Sequence, residues 1–245
     1  HRDLHSFPTR RSSDLPLKKL GLVSASATDF KNISNEYSSA SAIGHVRYST
    51  IGKSNLDNAQ PLKVKDLCVA HNGTISNVEE LSNMVGGCSF TPQKSSDTLV
   101  VAQRLVSLIS EKGKFADALS VLKNEMIGSY CFTFLSDDTS VYAARDPRGF
   151  RPLVLGKKTE GGTHIVASES SALSAVGADL VRDVIPGELI KFSKNGIESE
   201  MFSKEKQRAH CSFEFTYFAH PSSKMEGANI YVSRKIGRAS CRERV

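Results

Sequence analysis

The sequence predicts an α+β fold, in which helices pack on the outside of a sheet core. Two observations lead to this prediction. Two segments with apolar residues at helical spacing, Leu99–Glu111 and Phe115–Met126, follow an early apolar strand pattern. A series of short strand patterns comes after them, and turn residues separate these patterns at short intervals, which is typical of antiparallel pairing.

The early strand pattern lies in LCVAHNGTISNVEEL, residues 67–81. Leu67–Ala70 is an apolar run of strand length, and His71–Gly73 is expected to end it in a tight turn. Ser76 and Glu79 have the spacing of a capping box, which marks the start of a helix. We therefore predict a strand, a turn and a helix here, with a simple Asn-Gly hairpin turn as the alternative.

The segment before it, Ala42–Thr50, alternates apolar and polar residues with the period of a half-buried strand. Arg47 is then expected on the face opposite Val46. A guanidinium in that position can bind a carboxylate through two parallel N–H bonds, and a surface salt bridge is the alternative. His45 has no partner at metal-ligand spacing, so we interpret it as a structural imidazole. Ile51–Leu62 is rich in turn formers and is predicted to be a loop.

Polar residues mark the ends of the first central helix. Asp97 lies in its expected first turn, and Gly113 is expected to end it. Asp97 is either a helix cap or a carboxylate that binds a substrate ammonium group. A short helix at Ser168–Val176 interrupts the later strands, which are predicted at Ser129–Leu135, Ser140–Ala144, Leu153–Leu155, His164–Ser168, Leu180–Val184, Glu188–Phe192 and Ile197–Phe202.

Asn72 and Gly73 carry the clearest chemical indication. At the end of a buried strand they present two donors to one point, the Asn72 side-chain amide and the Gly73 backbone N–H. Gly73 has no β-carbon, so a substrate carbonyl can approach its amide closely. Two donors aimed at a developing oxyanion stabilise a transition state, each by roughly 3 kcal/mol. The pair therefore predicts an oxyanion hole.

Composition and charge exclude several classes of protein. The net charge is +6, and about half of it lies in residues 1–15 and 236–245, which leaves too little positive charge for a nucleic-acid-binding surface. No apolar run reaches the ~18 residues of a membrane helix, and the N-terminus has no apolar signal-peptide core. The cysteines before residue 236 form no CxxC pair, which favours a reducing compartment, the cytoplasm.

The two ends of the chain are expected to be non-native. A DNA string that encodes Ile236–Val245 reads, on its opposite strand, as the residues His5–Asp14. One oligonucleotide, similar to a common sequencing adaptor, can therefore account for both. We predict that residues 1–15 and 236–245 are read-through segments, that residues 16–209 form the main domain, and that residues 210–235 begin a second domain.

Three motifs occur in register: GHVRYST at 44–50, AHNG at 70–73 and SSDT at 95–98. Together they resemble the glutaminase domain of the class II glutamine amidotransferases, which belong to the N-terminal-nucleophile hydrolases. RDPRGFRPLVLG, VASESSAL and CSFEFTYFAHPSS, which follow between residues 145 and 223, resemble the amidophosphoribosyltransferase branch of that family. The resemblance implies a four-layer αββα sandwich, here without its first strand.

The resemblance also implies a reaction and roles for particular residues. Glutamine is hydrolysed to glutamate, and the ammonia travels inside the protein to phosphoribosyl pyrophosphate, which gives 5-phosphoribosylamine in the first step of purine synthesis. By motif position, Arg47 binds the glutamine α-carboxylate, Asp97 binds the α-amino group, and Asn72 with Gly73 forms the oxyanion hole. Glutamine and, in a further domain, phosphoribosyl pyrophosphate are the implied partners of a homo-oligomeric parent, without nucleic acid or membrane.

One family residue has no counterpart in the sequence. The family nucleophile is an N-terminal Cys whose own α-amine acts as the base, whereas this chain begins at His1 and has no Cys before Cys68. Cys68 lies inside the predicted strand and has no free α-amine. Since loss of a nucleophile typically costs on the order of 10⁶ in rate, the chain as it stands is expected to lack glutaminase activity.

The family leaves a cofactor and two other functions open. Cys211 lies near the position of one ligand of the [4Fe–4S] cluster that some members bind, and a buried structural thiol is the alternative. No cofactor is expected in this part of the protein, although the resemblance implies Mg²⁺ as a cofactor of the parent enzyme. The alternative functions are the glutaminase half of another class II enzyme, such as the glucosamine-6-phosphate-forming one, and a non-catalytic glutamine-binding module.

Overall fold

The computed structural model describes residues 18–21, 32, 40–46, 56–85 and 96–235. Within these ranges the helices are α1 (Val78–Met84), α2 (Asp97–Lys112), α3 (Phe115–Glu125) and α4 (Ser170–Ala175), with a π-helical turn at Glu214–Phe218 and helical residues at 230–235. The strands are β1 (Leu62–Val64), β2 (Leu67–Ile75), β3 (Gly128–Ser136), β4 (Val141–Arg145), β5 (Val154–Lys157), β6 (His164–Ala167), β7 (Asp179–Asp183), β8 (Glu188–Ser193), β9 (Gly196–Met201), β10 (Lys224–Met225) and β11 (Ala228–Asn229).

The strands form two main sheets. The larger sheet has the order β1-β2-β3-β4-β8-β9, and the smaller one has the order β6-β5-β7. Every pairing in both sheets is antiparallel, and β10 and β11 form a separate hairpin. Antiparallel sheets with helices segregated to their outer faces define the α+β class, so the predicted fold class is confirmed.

α2 and α3 cover one face of the larger sheet. α2 begins after Ser96, whose Oγ accepts a hydrogen bond from the Leu99 nitrogen at 3.3 Å, and it ends at Gly113 with a left-handed φ of 75°, as predicted. Burying one large apolar side chain contributes roughly 1.5–3 kcal/mol, so a continuous apolar cluster holds this layer in place. The cluster contains Val101, Leu105, Leu119 and Leu122 of the helices with Val69, Phe132 and Phe134 of the sheet.

The opposite face of the larger sheet packs on the smaller sheet. Cys131 and Ile190 of the larger sheet lie in one buried cluster with Leu155 of β5 and with Val184. On the far side of the smaller sheet, Leu173 of α4 packs against Val154. The order of layers is therefore helix, sheet, sheet, helix, which is the four-layer sandwich that the family resemblance implies.

The predicted tight turn at His71–Gly73 is wrong, because these residues lie inside β2. Asn72 is opposite Cys131, and Gly73 is opposite Tyr130. All nine residues of β2 pair with consecutive residues of β3, so long-range hydrogen bonding outweighs the local turn preference of Asn-Gly. The strand ends only at Ile75.

The predicted capping box is also wrong. Asn77, not Ser76, is the cap residue of α1, and its side chain makes no cap hydrogen bond. Ser76 Oγ instead donates to the carbonyl of Ile127 at 2.8 Å, while the Asn77 side chain accepts from the Ile127 nitrogen and donates to the carbonyl of Glu125, both at 2.8 Å. Both polar side chains therefore connect the start of α1 to the chain between α3 and β3.

The region before β1 differs from its prediction as well. Residues 42–46 of the predicted strand Ala42–Thr50 have no regular secondary structure, and the Val46 side chain is 78% exposed. Leu62, the last residue of the predicted loop Ile51–Leu62, instead begins the edge strand β1 (Leu62–Val64) beside β2. From Gly128 onward the predicted strands and the short helix are confirmed, with small shifts at their ends.

Candidate functional site

Asn72 faces a small cleft between the two sheets. Successive residues of a strand point to opposite faces, so Ala70 and Asn72 of β2 face the smaller sheet. The cleft has a volume of about 100 Å³. The Asn72 side-chain nitrogen lies 3.4 Å from Oγ of Ser168, at the end of β6. Gly44, Cys131, Leu153, Val166 and Ala167 are among the other lining residues.

His71 points to the opposite, helix-covered face. It is 4% exposed, and its ring lies 4.7 Å from that of Phe132. Burial lowers the pKa of the imidazole below its usual value, because desolvation outweighs the nearby carboxylate of Asp97, so the ring is neutral at pH 7. Nε2 lies 3.4 Å from the carbonyl of Ser129, which can only accept, and we therefore assign the proton to Nε2.

Two neighbouring polar side chains fix His71 in place. Thr98 Oγ1 lies 3.3 Å from Nδ1 of the ring. Gln60 accepts a hydrogen bond from the His71 backbone nitrogen at 2.6 Å and donates to Thr98 Oγ1 at 3.0 Å. The His71 carbonyl accepts from His45 Nε2 at 3.1 Å. The structural role that the sequence predicts for His45 is consistent with this contact.

Asp97 connects the end of β2 to the start of α2. Its Oδ2 accepts a hydrogen bond from the Ile75 nitrogen at 3.1 Å and lies 3.7 Å from His71 Nδ1. Its Oδ1 accepts from the Thr98 nitrogen at 2.8 Å. The residue is only 9% exposed. The helix cap proper is Ser96, so Asp97 is a first-turn carboxylate with structural contacts on both oxygens.

Gly73 has a backbone conformation that requires glycine. Its φ is +153°, and a β-carbon there would collide with the carbonyl of Ser129 on β3 and lie 2.8 Å from His71 Nε2. The sequence predicts that a substrate carbonyl approaches Gly73 closely. In the structure, the carbonyl of Ser129 on the neighbouring strand lies on the side of Gly73 where a β-carbon would point. Gly128, the partner of Ile75, has a similar φ of +156°.

The structure brings three of the predicted site residues to one end of β2, but not to one surface. Asn72 opens into the cleft between the sheets, whereas the Asp97 carboxylate lies with His71 toward the helices. Gly73 directly follows Asn72 in β2. Arg47 lies outside the described residues, so its meeting with the other three stays a prediction.

Cys211, the predicted cluster ligand, is half-buried and lies before the π-helical turn. Its backbone nitrogen donates to the carbonyl of Phe150 at 3.1 Å. Cys68 and Cys131, the other cysteines in the described ranges, are in β2 and β3. Within those ranges no three His, Cys, Asp or Glu side chains converge as a metal site would need, so the described residues do not complete an iron–sulfur ligand set.

Sequence reasoning did not identify three residues around the site: Gln60, Thr98 and Ser168. Thr98 lies in the motif SSDT, and Ser168 lies in the motif VASESSAL. The motifs therefore indicate the region of the site, but they do not predict which residues these two side chains contact. Gln60 had no local signal, because its partners are 11 and 38 residues away in the chain. Among the residues that the structure describes, every helix is too short or too polar to cross a lipid bilayer.

Comparisons with known proteins agree with the fold and the motifs. A family model described as a glutamine amidotransferase domain matches residues 45–175, which include Arg47, Asn72, Gly73 and Asp97. The amidophosphoribosyltransferase of Archaeoglobus fulgidus is 40% identical over 208 residues, which cover 83% of this chain and 45% of that protein. The chain thus spans less than half the length of this curated relative.

Two solved structures are similar to the chain. The glutamine phosphoribosylpyrophosphate amidotransferase of Bacillus subtilis, complexed with ADP and GMP, has a TM-score of 0.64 at 34% identity and covers 76% of this chain and 40% of its own. A structure described as the allosteric regulatory enzyme of purine biosynthesis has a TM-score of 0.69 at 35% identity. The match covers 81% of this chain and 43% of that protein's chain. The resemblance predicted from the three motifs is therefore confirmed: the chain belongs to the family of glutamine amidotransferase domains.

Proposed function

We propose that this chain is the glutamine-binding and glutamine-hydrolysing part of an amidophosphoribosyltransferase. The parent enzyme would transfer the released ammonia to phosphoribosyl pyrophosphate and so form 5-phosphoribosylamine for purine synthesis. The observation that carries the proposal is the Asn72 side-chain amide, which opens into a cleft between the two sheets. The Asp97 carboxylate lies near the same strand end, on the helix-covered side.

The proposed roles follow from the charge of each group. Free glutamine carries an α-carboxylate, an α-ammonium and a neutral side-chain amide. Arg47 would bind the carboxylate, and Asp97 would bind the ammonium, each through a charge-assisted hydrogen bond. Asn72 and the Gly73 N–H would donate to the side-chain carbonyl, which becomes an oxyanion when the amide is attacked.

The arrangement near Asp97 supports its part of the proposal. The carboxylate is nearly buried, and its ionic neighbour in the described region, His71, is neutral. A carboxylate in such a setting favours a cationic partner. The α-ammonium of an amino acid is such a partner.

The remaining parts of the proposal concern the parent protein. Phosphoribosyl pyrophosphate and Mg²⁺ would bind in a further domain, the parent would be a homo-oligomer, and the enzyme would act in the cytoplasm. Within the described ranges Cys131 and Cys211 are thiols rather than disulfides, which is consistent with a reducing compartment. No step through an iron–sulfur cluster is proposed, because the described residues do not supply its ligands.

Glutamine binding by the purified chain tests the proposal without requiring turnover. Calorimetric titration with L-glutamine is expected to show saturable binding, and L-glutamate is expected to bind more weakly because it lacks the neutral amide. Asn72→Ala and Asp97→Asn are each expected to weaken glutamine binding by about tenfold, the cost of one good charge-assisted or oriented hydrogen bond.

Two matched variants serve as controls. Asn195→Ala changes the other Asn-Gly pair of the described chain, which lies in the exposed β8–β9 hairpin. Asp117→Asn changes an exposed carboxylate in the first turn of the neighbouring helix α3. Both controls should bind glutamine as the unchanged chain does. Absence of saturable binding, or equal affinity of the Asn72→Ala variant and the unchanged chain, would overturn the proposal.

A further inference from the structure

Glu169 is the cap residue of α4, but its side chain does not cap its own helix. Its Oε2 instead accepts two hydrogen bonds from a distant segment, one from the His220 nitrogen at 2.7 Å and one from Ser223 Oγ at 2.8 Å. A carboxylate at a cap position ordinarily accepts from the first N–H groups of its helix. The Glu169 side chain therefore joins the start of α4 to His220 and Ser223 instead of capping its own helix.

Ser223 caps the start of α4 in place of Glu169. Its Oγ lies 3.4 Å from the Ser171 nitrogen in the first turn of α4, and the residue is only 1% exposed. Next to it, Ser170 Oγ accepts from the Lys224 nitrogen at 2.8 Å. Residues 220–224, which we name the 220–224 turn, are thus joined to the start of α4 by a group of mutually satisfied polar atoms.

Ser168 directly precedes Glu169 and contacts the candidate site. Its Oγ is the acceptor 3.4 Å from the Asn72 side-chain nitrogen, and Ser168 lines the cleft together with Ala167. β6 ends at Ala167, so sheet pairing does not hold Ser168. Glu169 is the next residue along the chain, and hydrogen bonds to His220 and Ser223 hold its side chain.

We propose that Ser168 and Glu169 are positioning residues for the Asn72 amide: Ser168 orients the amide, and Glu169 fixes Ser168 by binding the 220–224 turn. The side-chain nitrogen of Asn72 has two hydrogens. When one donates to Ser168, the plane of the amide is set, and the second hydrogen is left to face the cleft. The effect of this positioning on glutamine binding rests on the proposed oxyanion role of Asn72. The contacts of Ser168 and Glu169 themselves do not depend on that role.

Nuclear magnetic resonance of the purified chain measures the positioning directly. The side-chain ¹H and ¹⁵N resonances of Asn72 report the orientation and hydrogen bonding of its amide. Ser168→Ala, Glu169→Ala and Ser223→Ala are each expected to shift these resonances in the same direction. Glu169→Gln, which keeps one acceptor oxygen, should give an intermediate shift. Each of the three alanine variants should also weaken glutamine binding about fivefold, the usual effect of one hydrogen bond.

Ser222→Ala is the matched control for Ser223→Ala. The Ser222 hydroxyl bonds to Nδ1 of His220 at 2.7 Å, whereas that of Ser223 bonds to Glu169. Removing the Ser222 hydroxyl should leave the Asn72 resonances unchanged. Backbone amide spectra confirm that each variant is folded. If Glu169→Ala does not fold, the Glu169→Gln variant still tests the role of the carboxylate.

The outcomes separate the positioning inference from the proposed function. If the Asn72 resonances of Glu169→Ala and Ser223→Ala coincide with those of the unchanged chain, or if Ser222→Ala shifts them equally, the inference is overturned. If Asn72→Ala binds glutamine as the unchanged chain does, the proposed function fails. In that case the resonances, which are recorded without glutamine, still decide whether Ser168 and Glu169 position the amide.

Discussion

Gly73 of β2 lies against the carbonyl of Ser129 on β3, so closely that no side chain fits between them. This contact occurs at the strand end where Asn72 and Asp97 are held. The two strands approach here because Gly73 and Gly128 both adopt positive φ angles, which L-residues rarely adopt. The glycine of the AHNG motif therefore has a packing reason that is independent of any substrate.

Gly73→Ala is expected to destabilise the chain by roughly 3 kcal/mol, since it combines backbone strain with a collision against β3. Gly113→Ala is the control, because Gly113 also has a positive φ but its added β-carbon would meet open space. It should cost only about 1 kcal/mol. Urea unfolding followed by circular dichroism measures both, and equal losses would show that the collision at Ser129 is unimportant.

The buried His71 predicts a pH dependence of stability. Because burial lowers its pKa in the folded state, the unfolded chain binds a proton first as the pH falls. The free energy of unfolding should therefore decrease below about pH 6.5, with a slope of up to about 1.4 kcal/mol per pH unit, and this contribution levels off once the folded state is protonated too. Unfolding at pH 7.5 and 5.5 measures the difference.

His71→Gln should remove this contribution and flatten the pH dependence. His164→Gln, which changes an exposed histidine of β6, should leave it in place. A His71→Gln variant with the same pH dependence as the unchanged chain would contradict the assignment of a neutral, buried imidazole.

Arg104 of α2 and Glu125 of α3 form a two-point ion pair that joins the two helices. The distances are 2.8 Å from Nε to Oε2 and 2.6 Å from Nη2 to Oε1, and the side chains are 15% and 17% exposed. Glu125→Ala would leave a largely buried guanidinium without its main partner, so we expect a loss of about 2 kcal/mol.

Glu111 provides the comparison, because it contacts the same Arg104 at 3.8 Å but is 53% exposed. Its ion pair is screened by solvent, so Glu111→Ala should change the free energy of unfolding by less than about 0.5 kcal/mol. Chemical denaturation of both variants tests the difference, and similar losses for the two would show that burial and two-point geometry do not distinguish these pairs.

Cys131 should be unreactive although it lines the cleft. It is buried, burial raises the pKa of its thiol well above the ordinary range, and Sγ donates to the carbonyl of Arg151 at 3.5 Å. Iodoacetamide at pH 8 should therefore alkylate the half-buried Cys211 and leave Cys131 unmodified, as judged by mass spectrometry of tryptic peptides. Urea should make Cys131 reactive, and modification in the folded chain would disprove its inert character.

Much of this architecture could be predicted from local sequence patterns. The two central helices, the end of α2 at Gly113 and the strands after residue 128 follow from periodicity and turn residues, which act within a few positions. The three motifs also identified the family. These features depend on residues close together in the chain, and for that reason the sequence by itself determined them.

Tertiary structure decided the rest. Only the full-length pairing of β2 with β3 shows that His71–Gly73 continues a strand, because a local turn preference cannot compete with a whole ladder of hydrogen bonds. Likewise, only folding brings Gln60 to His71 and Ser168 to Asn72, across 11 and 96 residues of chain. Contacts between such distant positions leave no periodic trace in the sequence, because packing of the two sheets and the helices creates them.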